Sequence, residues 1–181
     1  MKRMFLFLVI LSLMSLAGCK VQVENNDFAG EVAPQTGIVT QPEDLLSTIE
    51  ATNRFQSFVT GLCNTRLDEL LQGPGPYTVL VPTQEAWNTF PQYLQTDLFL
   101  PQNSAQLRPI MVNHIIAGRL SASDIATRDT VLTIAGKTLP VRRSGTDLFI
   151  GSAKIVEPDI PATNGMIQVV NYVLVPPPAA P

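Results

Sequence analysis

The chain has one histidine, His114, and two cysteines, Cys19 and Cys63. These three side chains bound the chemistry it can do. A histidine acting as general base needs a nucleophile or a water, and an orienting acid, within bonding reach. The nearest acids in sequence, Asp124 and Asp129, are not placed beside His114 by any spacing, and there is no Gly-x-Ser-x-Gly motif. A hydrolase using His114 would therefore lack the rest of its machinery. The spacing favours another role: Leu107, Ile110, Met111, His114 and Ile115 recur at one face of a helix. An imidazole there is expected to be buried, with its nitrogens bonded to backbone or to a neighbouring side chain. One histidine and one further cysteine cannot build a zinc site, so no catalytic residue, metal or cofactor is expected.

Cys19 points to a different chemistry. Lys2 and Arg3 precede an apolar run from Met4 to Leu16, too short to span a bilayer. Leu16-Ala17-Gly18-Cys19 then has the small-residue pattern of a bacterial lipobox, with Cys19 as the lipidated first residue of the mature chain. Residues 1–18 are read as the lipoprotein signal peptide. A diacyl or triacyl anchor holds firmly, because each buried CH₂ contributes about 0.8 kcal/mol. Lys20, in place of an aspartate that would signal inner-membrane retention, favours an outer membrane, with periplasmic and surface faces both open. With Cys19 carrying lipid, Cys63 is expected to pack in a helical connection as a small apolar residue.

The elements that must position these residues follow from the pattern. Residues 19–39 are polar, without apolar period, and read as a flexible tether with a typical span of about 25 Å and a reach near ~70 Å. Thr40-Gln41-Pro42-Glu43 forms a capping box for a helix through Glu50. Asn53 is expected to cap a second helix bearing Phe55, Phe58, Val59 and Leu62, and a third carries Leu67, Leu70 and Leu71 up to Gly73. Residues 77–81 form a strand buried on both faces, Pro82 ends it, and Thr83 caps a helix to Phe90. The His114 helix is expected to begin close to Pro109 and to end at Gly118. Strands follow at 131–134, 138–142, 147–150, 153–156 and 166–175, with hairpin-like turns at 135–137 and 144–146. Helices first and strands later indicate an α+β fold with segregated layers. The Pro-rich end, 178–181, cannot join a sheet.

Three stretches, in order, carry a resemblance. Gly75-Pro76-Tyr77-Thr78-Val79-Leu80-Val81-Pro82-Thr83-Gln84-Glu85-Ala86-Trp87 resembles the first box of fasciclin (FAS1) domains. Asn113-His114-Ile115-Ile116-Ala117-Gly118-Arg119-Leu120 is similar to the central Tyr-His box. Asn164-Gly165-Met166-Ile167-Gln168-Val169-Val170-Asn171-Tyr172-Val173-Leu174-Val175-Pro176 is similar to the C-terminal box. The resemblance implies a single FAS1 domain over 40–177, a curved β-wedge with helices packed around it. It also implies a receptor-contacting role for the central box, but Asn113 stands where the family has a tyrosine, removing an aromatic anchor. Gln168 and Asn171 replace a histidine and an aspartate, keeping hydrogen-bonding atoms and deleting titratable ones. Asn113 and His114 are thus the candidate binding or structural residues.

The net charge of −3, made more negative by loss of Lys2 and Arg3 with the leader, argues against nucleic acid. Arg142-Arg143 reads as a solvated strand end. Trp87 is expected in the core, and Tyr93, Leu98, Phe99 and Leu100 either fold onto the core or form a patch. The expected function is a lipid-anchored binding or adhesion module for an envelope or extracellular protein or polysaccharide. The alternative is a carrier of a small apolar pigment or lipid, which needs a cavity near Trp87 and residues 98–100. The sequence leaves the oligomeric state open.

Overall fold

The computed structural model describes residues 43–89 and 97–176. The leader, Cys19, the tether, the Thr40 cap, Tyr93 and the Pro-rich end lie outside them. Helices α1 (Leu45–Ala51), α2 (Gln56–Thr65) and α3 (Asp68–Gln72) come first, followed by strand β1 (Tyr77–Pro82) and helix α4 (Gln84–Asn88). A 3₁₀ turn at Pro101–Asn103 leads into α5 (Ser104–Asn113), then β2 (Ile115–Ala117) and α6 (Ala122–Ala126). The remainder is strand: β3 (Thr130–Leu132), β4 (Thr138–Ser144), β5 (Asp147–Ile150), β6 (Ala153–Ala162) and β7 (Gly165–Val170).

The strands form one sheet in the order β2-β1-β7-β6-β5-β4-β3. Its two end strands meet, through an Ile116–Thr133 bridge and the Ile134 N–H donating to the Ile115 carbonyl at 2.8 Å, so the sheet nearly closes into a wedge. β1 and β7 run parallel, Tyr77 opposite Gly165 through Pro82 opposite Val170. Alternation then divides the core in two. Val79, Val81, Ile167 and Val169 join the helices' cluster with Phe58, Leu62, Trp87, Leu107 and Met111. Leu80 and Val170 face the other way, into an aliphatic cluster with Ile116, Ile125, Val131, Ile150, Ile155 and Leu174. Both faces of β1 are thus covered, which is why its sequence runs apolar without a polar beat.

Local signals differ from expectation at several places. The described α1 is capped by Asp44, whose carboxylate accepts from the Ser47 N–H at 2.8 Å. Asn53 takes a left-handed φ of 50° instead of capping α2, whose N-cap is Phe55, with no side-chain cap bond. Pro82 is the last residue of β1, and Thr83 does cap α4, accepting from the Ala86 N–H at 3.2 Å. Pro109 sits inside α5, which begins five residues earlier and gives up one backbone bond there. That helix ends at Asn113, with His114 as its C-cap, and β2 intervenes before Gly118. An unforeseen α6 is opened by a Ser121–Asp124 capping box. β6 runs past Pro158 to Ala162 by means of two register shifts, and β7 stops at Val170.

Candidate functional site

His114 is buried at the end of α5, and each ring nitrogen has a backbone partner. A carbonyl can only accept and an N–H can only donate, so the tautomer follows from the contacts. Nδ1–H donates to the Ile110 carbonyl at 2.8 Å, and Nε2 accepts from the Leu174 N–H at 2.9 Å. Phe58 packs edge-on against the ring, 5.9 Å between centroids. Burial pushes the imidazole's pKa down to about 4, against the opposing pull of the Ile110 carbonyl. The ring is therefore neutral at pH 7 and has no nitrogen to spare for a nucleophile. Among the described residues no three His, Cys, Asp or Glu side chains converge to hold a metal.

Asn113 is buried beside it, and its Nδ2 donates to the Leu174 carbonyl at 3.0 Å, while Oδ1 is buried without a hydrogen-bond partner. Two consecutive side chains thus hold both backbone groups of one residue, Leu174. Neither presents a face to a partner.

The other polar residues of the boxes are spent in the same way. Asn164 Oδ1 accepts from the Leu45 N–H at 2.8 Å, and its Nδ2 donates to the Leu71 and Gly73 carbonyls, each at 2.7 Å. One amide therefore joins the start of α1, the end of α3 and the entry to β7. Gly165 is required next to it, because a Cβ there would lie 2.1 Å from the Tyr77 carbonyl oxygen. Gln168, buried in β7, accepts from the Asp159 N–H at 3.0 Å and donates to Asp159 Oδ1 at 2.8 Å and to the Leu120 carbonyl at 3.2 Å. Asp159 holds a left-handed φ of 61° there and also accepts from the Ala122 N–H at 2.7 Å. Thr78 Oγ1 donates to the Gly118 carbonyl at 2.7 Å and accepts from the Leu120 N–H at 2.8 Å. Asn171 Oδ1 accepts from the Lys154 N–H at 2.8 Å, extending the β6–β7 pairing by one step.

Such sequence runs, each serving the backbone of a helix-wrapped wedge, match a known family model. The Fasciclin domain model covers residues 53–176. The chain belongs to the fasciclin family. An uncharacterized protein of Synechocystis sp., sll1735, is 35% identical over 122 residues, 67% of this chain and 89% of its own length. Transforming growth factor-beta-induced protein ig-h3 of Sus scrofa is 32% identical over 141 residues, 77% of this chain and 20% of that protein. In structure the chain is similar to a FAS1 domain pair from the insect cell adhesion molecule fasciclin I, with a TM-score of 0.67 and 16% identity, over 74% of this chain and 51% of that one.

Within this fasciclin domain, Trp87 is core and packs edge-on against Phe99 at 5.3 Å, with Leu98 buried and Leu100 at the surface. Arg142 and Arg143 are exposed on β4, and Arg142 reaches the Gly151 carbonyl at 3.2 Å. Sequence reasoning missed Asp159 and the role of Leu174. Asp159 lies between Pro158 and Pro161 in a stretch that reads as a break, and Leu174 carries its function in its backbone, which no side-chain pattern encodes. Cys63 corrects an expectation. It is half-buried on α2 and disulfide-bonded, not packed as an apolar thiol. The chain has one other cysteine, Cys19, outside the described residues.

Proposed function

We propose that this fasciclin domain is a binding or adhesion module, held to a bacterial envelope through lipid on Cys19 and presented on the 19–39 tether. The observation that carries the reading is the spending of its polar residues. His114, Asn113, Asn164, Gln168 and Thr78 bond backbone groups or the Asp159 turn, so the polar chemistry of the boxes builds scaffold. Polar side chains spent on scaffold leave the surface of the described residues as the part that meets a partner. Family membership supports the same reading, and the structurally similar domain pair comes from a cell adhesion molecule. The partner class is an envelope or extracellular protein or polysaccharide, and the acidic chain is unsuited to nucleic acid.

Crosslinking on intact cells tests this, comparing the native protein with Cys19→Ser. One dominant macromolecular partner captured by the native form, and lost or weakened in the released form, is the expected result. Absence of any macromolecular partner would overturn the adhesion reading and redirect attention to a small apolar ligand.

A further inference from the structure

The segment after β7 crosses from one core to the other. Val173 belongs to the helices' cluster and Leu174 to the inner aliphatic cluster. Leu174 packs over Gly151, where an added Cβ would sit 3.2 Å from Leu174 Cδ2 and 3.9 Å from Leu139 Cδ2. The leucine thus covers one end of the wedge interior. Past Asn171, and among the described residues, the hydrogen bonds joining this segment to the rest of the fold are the two at Leu174. One comes from Asn113, whose amide leaves its own oxygen buried and unbonded. The other depends on His114 Nε2 remaining an acceptor.

We propose that residues 172–176 are a strap over the wedge interior that acid releases: a proton on His114 Nε2 turns the acceptor into a donor facing the Leu174 N–H. The bond is then lost, and a charged ring in this apolar setting is relieved only by letting the segment go. The groups facing the ring are Phe58 from α2, Ile110 from α5 and Leu174 from the strap itself. None of these titrates, and no charged side chain among the described residues contributes to the ring's shift, so nothing nearby compensates the proton. The half-satisfied Asn113 amide weakens the second tie from the start. Release uncovers Leu139 and Gly151 at the end of the inner cluster.

Linkage sets the size of the effect. A ring at its ordinary value when the strap is open and at about 4 when it is closed favours opening about 30-fold more at pH 5 than at pH 7.5. Amide hydrogen exchange on the intact protein reads this at the Leu174 N–H. After correction for intrinsic exchange, its protection is expected to fall about 30-fold between those pH values. It should also stay below that of the β1–β7 ladder amides at both. His114→Gln, which offers an acceptor without titrating, should flatten the pH dependence. Asn113→Ala should lower Leu174 protection at every pH while keeping the slope, and serves if His114→Gln does not fold. Leu174 protection unchanged between the two pH values would overturn the proposal. So would protection equal to the ladder's throughout, which would assign the opening to global unfolding.

Discussion

His114 shows how burial converts a reactive residue into a structural one. Its neutral form is fixed by one donated and one accepted bond, so the folded domain resists a proton that the unfolded chain accepts. The folded pKa, about 4, lies below the unfolded value near ~6.5, so the contribution to stability is complete above the unfolded value. It is lost as pH falls through the window toward 4, by about 3 kcal/mol in all. Urea denaturation should show about 2 kcal/mol of this loss between pH 7.5 and 5, and His114→Ala should itself cost about 1–3 kcal/mol at pH 7.5. An unchanged midpoint for His114→Ala would mean that its bonds are not made. The sequence made the burial of this residue legible through the Leu107–Ile115 period. It did not show that the helix ends one residue before His114, because Ile115 and Ile116 continue an apolar run that suits a helix face and a buried strand equally.

Elements are joined by side chains that act as backbone. Asn164 supplies three bonds to α1 and α3, a job that in a sheet would fall to peptide groups. Asn164→Ala would leave the Leu45 N–H and the Leu71 and Gly73 carbonyls without these partners. We expect a loss of about 2–3 kcal/mol in chemical denaturation, since unmade bonds at partly buried groups cost more than made ones contribute. A loss under ~0.5 kcal/mol would show that water replaces the amide. The pair Asn164-Gly165 was legible as a turn, but its long-range bonds were not, because they reach residues 119 and 93 positions away. β1 was read correctly because its run is apolar on both faces. β6 was not, because Pro158 and Pro161 read as breaks, whereas a register shift spans Pro158, where a missing N–H is tolerated, and Pro161 stays paired opposite Met166.

For the whole molecule, the proposed lipid on Cys19 would decide how the domain is displayed. Membrane fractionation should find the native protein with membranes and Cys19→Ser in the soluble fraction. Intact mass of the purified native protein should show the added acyl chains on a chain shortened by the leader. A mass lacking them, and rising by two hydrogens on reduction, would assign both cysteines to one disulfide and remove the anchor. The α+β class was legible in helical periods that precede strand periods, and the wedge and the family in three boxes that lie in order along the chain, each encoding a backbone geometry. The meeting of β2 and β3 was not, since neither strand is longer than three residues. That meeting has a consequence for recognition and for crowding. Among the described residues, a sheet whose first and last strands face each other offers little unpaired backbone for an incoming strand, so edge-to-edge pairing between copies is disfavoured. Any partner would then be read mainly by side chains and shape, with little place in the ladder for a bound peptide.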